Sequence, residues 1–232
     1  MVPGVRRDRP APVAGRGDAR QTGPVPPDRS VLVRTAFDAS VDAFVAQVAE
    51  VAPDRWAQPA TDAWTVRQLV AHVVRGTAVM SDLLDAGAPA PDTVLPDAAA
   101  YFRAAFALEG IHDGIVQRAV DAAAGAPDDL VGWAREVTGA AVARAAATPD
   151  DEVVVHFAGS LHFVDYLGTR VTELVLHTFE LQAACGRPPH APPDAVAVVN
   201  EILLGLADRA DPVALALALS GRSGPTVCNV LA

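Results

Sequence analysis

Lysine is missing from this chain: all 18 basic residues are arginine. Cysteine is almost missing, with only Cys185 and Cys228, and aromatic residues make up 5% of the 232 positions. Two cysteines cannot build a disulfide framework, so a reduced, cytoplasmic setting is the expectation. No apolar run reaches the roughly 18 residues of a membrane span. The N-terminal segment is rich in Pro, Gly and Arg and holds no apolar stretch, which excludes a secretory signal reading. Phosphate-binding glycine loops and dinucleotide fingerprints are absent. Ser160 lacks the G-x-S-x-G setting of a hydrolase elbow.

Positive charge is scarce as well. The net charge is −10, and because residues 1–29 carry six Arg against three Asp, the remainder holds −13. An acidic body argues against nucleic acid, whose phosphates need a basic face. It argues equally against anionic membrane surfaces. The charge says little else, since solubility alone accounts for an acidic surface. Arginine without lysine, together with abundant Ala, Gly and Pro, points to a high-GC genome.

What is present is helix-forming. Hydrophobic residues make up 51% of the chain, largely Ala, Val and Leu. Residues 1–29 read as a disordered arm with little to bury. Val33, Phe37, Val41, Phe44, Val48 and Val51 recur at helical spacing and predict a helix from Ser30 to Ala52. Thr65 and Gln68 form a capping-box pattern that opens a second helix, ending near Asp85 before Gly87. Residues 97–124 read as helical with a weak point at Gly110 and Gly114, and Asp128 or Asp129 caps a further helix that stops before Pro149. Residues 152–157, E-V-V-V-H-F, are the one strand-like run. A lone strand makes no sheet, so an extended connector is expected there. A long helix follows from Phe163 to Cys185, stopped by Gly186 and Pro188. Another helix starts after Pro192-Pro193-Asp194 and ends near Asp211-Pro212, and an apolar stretch and a Gly/Ser/Pro-rich tail close the chain. The sum is an all-α protein, most simply a four-helix bundle over residues 30–186 with a short C-terminal helical extension over 187–232.

The chemistry concentrates on one stripe of the Phe163–Cys185 helix. Arg170, Glu173, His177 and Glu180 fall at i, i+3, i+7 and i+10, so they leave the helix on one side. The stripe is narrow and flanked by apolar residues, which suits an inward-facing site. On the second helix His72 lies within the apolar face with Leu69, Gly76, Val79 and Leu83, whereas Gln68, Arg75 and Asp82 fall on the other side. A core His bonded to a carbonyl or carboxylate is one reading of His72. A metal ligand is the other. Together, His72, Glu173 and His177 offer two imidazoles and a carboxylate, a set that leaves a fourth position open on Zn²⁺ and also accepts Fe²⁺ or Ni²⁺. Glu180 would then orient a ligand imidazole, and Arg170 would bind a substrate carboxylate or pair with Glu173 or Glu180. His156 and His162 flank the connector; either could reach the open metal position or act as acid or base, but ordinary loop histidines are the preferred reading. Trp56 and Trp64 read as packing the loop over the bundle end.

W-T-V-R-Q-L-V-A-H (Trp64 to His72), followed by R-V-T-E-L-V-L-H-T-F-E-L (Arg170 to Leu181), resembles the mycothiol-dependent maleylpyruvate isomerases. These are actinobacterial members of the DinB-like metal-binding four-helix bundles. The resemblance covers about residues 30–186 and implies His72, Glu173 and His177 as the metal ligands. It also implies zinc as the usual metal and mycothiol as the thiol that the metal activates, for isomerisation or for S-transfer. The chain looks like a short form without the sizeable C-terminal domain of the isomerase, and Arg222 in the tail is a candidate anion-binding residue or a solvated one. Position 180 is Glu where relatives often carry Asp. A non-enzymatic metal-binding bundle, acting as a sensor or partner-binding module, is the competing reading.

Overall fold

The computed structural model describes residues 27–87 and 93–220. Most of the expected N-terminal arm, and the tail residues Arg222 and Cys228, lie outside them. The protein is all-α, with helices α1 (Pro27–Ala49), α2 (Val66–Asp85), α3 (Ala98–Phe106), α4 (Ile111–Gly125), α5 (Leu130–Ala147), α6 (Phe163–Ala184), α7 (Pro193–Ala210) and α8 (Pro212–Leu219). One antiparallel pair, β1 (Val153–His156) and β2 (Gly159–His162), precedes α6. Helices α1, α2, α5 and α6 close a ring, α1 packing on α5 and α6, and α2 packing on the same two. That ring is the four-helix bundle. Helix α4 lies against α2, and α7 against α1 and α6.

The core follows the spacing of the apolar residues. Val33, Phe37, Phe44 and Val48 of α1 are fully buried, as are Leu69, Val70 and Val74 of α2 and Leu167, Val171 and Leu181 of α6. Each large apolar side chain so buried contributes roughly 1.5–3 kcal/mol. Thr65 caps α2 as its sequence requires, its hydroxyl accepting from the Gln68 N–H while the Gln68 side chain accepts from the Thr65 N–H. Asp129, not Asp128, caps α5 through the Gly132 N–H. Gly186 ends α6 with φ +70°, a left-handed turn that suits glycine. No helix among the described residues is long and apolar enough to cross a membrane.

The structure corrects three expectations. Helix α1 starts at Pro27 rather than Ser30 and stops at Ala49 rather than Ala52. Proline is compatible with a first helical turn, where its missing N–H costs nothing. The early start sets Arg29 against Asp165 of α6 and Glu201 of α7 at 3.0 Å each. At the other end, Glu50 and Val51 bond back only three residues, to Gln47 and Val48, which tightens the last turn. Second, the helical run at 97–124 is two helices at an angle, divided by residues 107–110 with Gly110 at φ +71°. Third, the supposed connector is a hairpin. Val153–His156 pairs with Gly159–His162 across a two-residue turn, Phe157–Ala158. The return strand, G-S-L-H, has no β-branched residue, and its pairing comes from the turn. Gly159 sits at φ +133°, and a Cβ there would lie 2.6 Å from Leu95 Cδ1, so only glycine fits. The Leu95 N–H donates to the Ser160 carbonyl at 2.8 Å and ties the hairpin to the α2–α3 connection.

Candidate metal centre

Helices α2 and α6 bring His72, Glu173 and His177 together. Their potential ligand atoms all lie within 4.8 Å of one another. Glu173 Oε2 stands 3.2 Å from His72 Nε2 and 3.3 Å from His177 Nε2. Four ligands at the zinc distances of about 2.0–2.1 Å form a tetrahedron with edges of about 3.3 Å. Both carboxylate–imidazole separations already match the edge a tetrahedral cation needs. The triad is half-buried, with side-chain exposures of 16%, 29% and 15% for His72, Glu173 and His177.

Neighbouring groups hold each ligand in place. Glu180 Oε2 lies 2.7 Å from His177 Nδ1, so His177 donates outward to Glu180 and points Nε2 at the centre. The indole of Trp64 stacks on His72, with centroids 4.6 Å apart and planes 27° apart. Trp64 thus belongs to the centre itself, where the loop-packing reading had placed it over the bundle end. The two imidazoles meet edge to face at 4.9 Å. Trp64 Nε1 and Tyr166 OH are buried without a hydrogen-bond partner among the described residues. Orphaned polar atoms of this kind cost about 1–3 kcal/mol each and gather where function, not stability, sets the residue.

Burial opposes charge on Glu173, but hydrogen bonds from His177 and His72 and the nearby Arg170 hold its carboxyl well below the usual range. Burial likewise pulls His177 down, yet its bonds to Glu173 and Glu180 raise it to about 9. His72 is lowered, because desolvation outweighs its bond to Glu173. Glu173 is therefore ionised, His177 protonated and His72 neutral near pH 7.

Arg170 stands one turn before Glu173. Its guanidinium lies over the Tyr166 ring at 5.2 Å, Nε donates to Thr169 Oγ1 at 3.2 Å, and Nη1 reaches the Gly76 carbonyl at 3.4 Å. It pairs with neither Glu173 nor Glu180, which removes the ion-pair reading of that stripe.

A pocket opens beside the triad, lined by His72 and Glu173 on one side and by Arg75, Arg118, Arg170, Tyr101 and His156 among others. Two of these were misplaced by sequence reasoning. Arg75, assigned to the opposite face of α2, lines the pocket with Gly76 and Val79. It lies only three residues from His72, and its long stem spans the remaining angle. His156, read as an idle loop histidine, is carried in by the hairpin and hydrogen-bonds through Nδ1 to Tyr101 OH. Desolvation, then Arg170, Arg118 and Arg75, depress its pKa to about 4, so the ring is neutral. Burial raises the Tyr101 phenol, which keeps its proton. The phenol therefore donates to Nδ1, and the ring proton sits on Nε2. Only the pairing of β1 and β2 reveals this; a strand ending in His before a glycine turn was the available signal. His162 stays away from the pocket, its Nδ1 3.2 Å from the Asp151 carbonyl.

No curated protein and no solved structure matches the chain. Residues 37–182, more than half of its length, do match the family described as the mycothiol maleylpyruvate isomerase N-terminal domain. The chain therefore belongs to that family of DinB-like helical domains.

Proposed function

We propose that this protein is a metal-dependent, thiol-using enzyme of the isomerase or S-transferase type, with mycothiol as the thiol. One observation carries the reading: a single carboxylate oxygen lies within 3.3 Å of two imidazole Nε2 atoms at a pocket wall. His72, Glu173 and His177 would hold a divalent cation, for which zinc suits the donor set best. His72 Nε2 and His177 Nε2 both face Glu173 Oε2, as ligands of one cation would. A divalent cation there supplies one thing, stabilisation of a thiolate over a thiol at neutral pH, and so a nucleophile.

The remaining work falls to the chain. Glu180 accepts the His177 Nδ1 proton, fixing the tautomer that leaves Nε2 free for a metal. Trp64 covers one face of His72 and keeps water from that side. Arg170, one helical turn from Glu173, positions a carboxylate of the electrophile near the thiol. His156 Nε2–H, held by Tyr101, is a neutral donor facing the same pocket.

Metal analysis tests the reading. The expected result is one divalent cation per purified or reconstituted chain, and its loss in His177→Ala. Full metal content in that variant contradicts the ligand set. A metal-loaded protein that binds no mycothiol in titration calorimetry contradicts the enzyme reading and leaves a metal-binding module.

A further inference from the structure

Of the twelve arginines among the described residues, Arg55, Arg103 and Arg135 pair with no carboxylate and stand outside the pocket lining. Arg29, Arg34, Arg144, Arg187 and Arg209 each pair with a carboxylate. Arg67 gives its donors to the carbonyls of Ala123, Ala126 and Pro127. Arg75, Arg118 and Arg170 have no carboxylate partner among the described residues, yet all three line the pocket beside the triad. They come from α2, α4 and α6, so the fold converges three cations, of which only Arg170 lies in the field of a carboxylate on the lining, Glu173. Within a body of net charge −10 such a cluster stands out. Glu173 is the one carboxylate on the lining, and the two imidazoles bond to it.

The rest of the lining is apolar. Phe102 and Phe106 stack at 5.8 Å with planes 10° apart, and Ile111 and Ile115 of α4 extend the same wall. At the mouth, Phe157 of the hairpin turn is 58% exposed, an aromatic side chain with little of the chain to cover it. Gly159 fixes this turn, so Phe157 is held at the rim.

We infer that the pocket binds an amphipathic carboxylate, its anionic head held by Arg75, Arg118 and Arg170 and its apolar body laid against Phe102, Phe106 and Phe157. Guanidinium forks hold carboxylates in two-pronged fashion, and a half-buried setting strengthens the pairing. An aromatic wall adds contact that a small dicarboxylate could not use. Only the further description of this ligand as the thiol's electrophile rests on the proposed function.

Cinnamate is the probe, because it joins a carboxylate to an aromatic body. Titration calorimetry with chelator-treated full-length protein keeps a metal from binding the carboxylate directly. Cinnamate is expected to bind at least tenfold more tightly than cinnamamide, fumarate or phenyl phosphate. Arg118→Gln should weaken it at least tenfold, and Arg75→Gln, also free of partners, serves if the first variant loses its helical circular dichroism. Equal affinity for cinnamamide removes the anion site, and tighter fumarate or phenyl phosphate removes the stated ligand class. Unchanged cinnamate binding in a folded variant, or binding by the metal-loaded form alone, also overturns the inference. Cinnamate binding by a protein that takes up no metal would defeat the thiol reading alone. Metal uptake without cinnamate binding would defeat this inference alone.

Discussion

The pocket has two unlike walls. One is made by α2 and α6, long helices of the bundle ring whose apolar faces are fully buried. It carries His72, Glu173 and His177. The other is made by short elements added to the bundle: α3, α4 and the β1–β2 hairpin. It carries Tyr101, Arg118, His156 and the phenylalanines. Ligands on a rigid bundle keep their spacing whatever binds, which is what coordination requires. Short elements between turns can change without disturbing that spacing, which suits the task of selecting a substrate. The triad lies on α2 and α6 alone, whereas the pocket's arginines are shared, Arg75 and Arg170 standing on the bundle wall and Arg118 on the other.

The largest effect is expected on the bundle wall. Glu173→Gln removes the carboxylate that both imidazoles face. Metal affinity should fall by about 100-fold or more, read by competition with a chromophoric chelator. Glu180→Gln keeps the three ligands but gives His177 a weaker acceptor. A loss of about tenfold to 100-fold in metal affinity is expected. No loss at all would mean that the 2.7 Å contact to His177 has no orienting role.

On the other wall, Gly159→Ala forces a Cβ against Leu95 at a φ that disfavours side chains. Denaturant unfolding should show a loss of about 1–3 kcal/mol, with metal stoichiometry unchanged. A fall in metal content would show that the two walls are coupled. The smallest effect concerns His156, whose folded pKa of about 4 lies below its unfolded value near 6.5. The neutral ring is favoured by the fold, so the stability it contributes is complete above about pH 6.5 and declines as pH falls towards 4. Desolvation and Arg170, Arg118 and Arg75 cause the shift, and Tyr101 holds the ring. Thermal melts between pH 7 and 4 should therefore drop more steeply for the wild type than for His156→Gln. Parallel slopes would place His156 in solvent.

The two walls also differed in how far the sequence disclosed them. The bundle wall was legible, because i, i+3 and i+7 on one long helix fix relative positions before any tertiary contact is known. The same periodicity turned His72 inward. What helical geometry could not supply was Trp64, since a loop residue stacking on His72 depends on the path of residues 53–64. Arg75 was misplaced although the wheel puts it three residues, about 60°, from His72, as near as Leu69 on the other flank. The second wall was mostly hidden. The break at 107–110 lets α4 turn back along α2 and bring Arg118 in, and no local pattern states that angle. The hairpin depends on one glycine at positive φ, and without it His156 reads as a loop residue. Local propensity speaks for single elements, while a pocket between several short elements is a long-range property.

The most direct test of an open metal site on the bundle wall is X-ray absorption at the zinc edge of the reconstituted protein, before and after adding mycothiol. The predicted first shell holds two imidazole nitrogens and carboxylate oxygen, and the thiol adds one sulfur at about 2.3 Å. A protein that cannot be loaded with metal, or a first shell that mycothiol leaves unchanged, would contradict it.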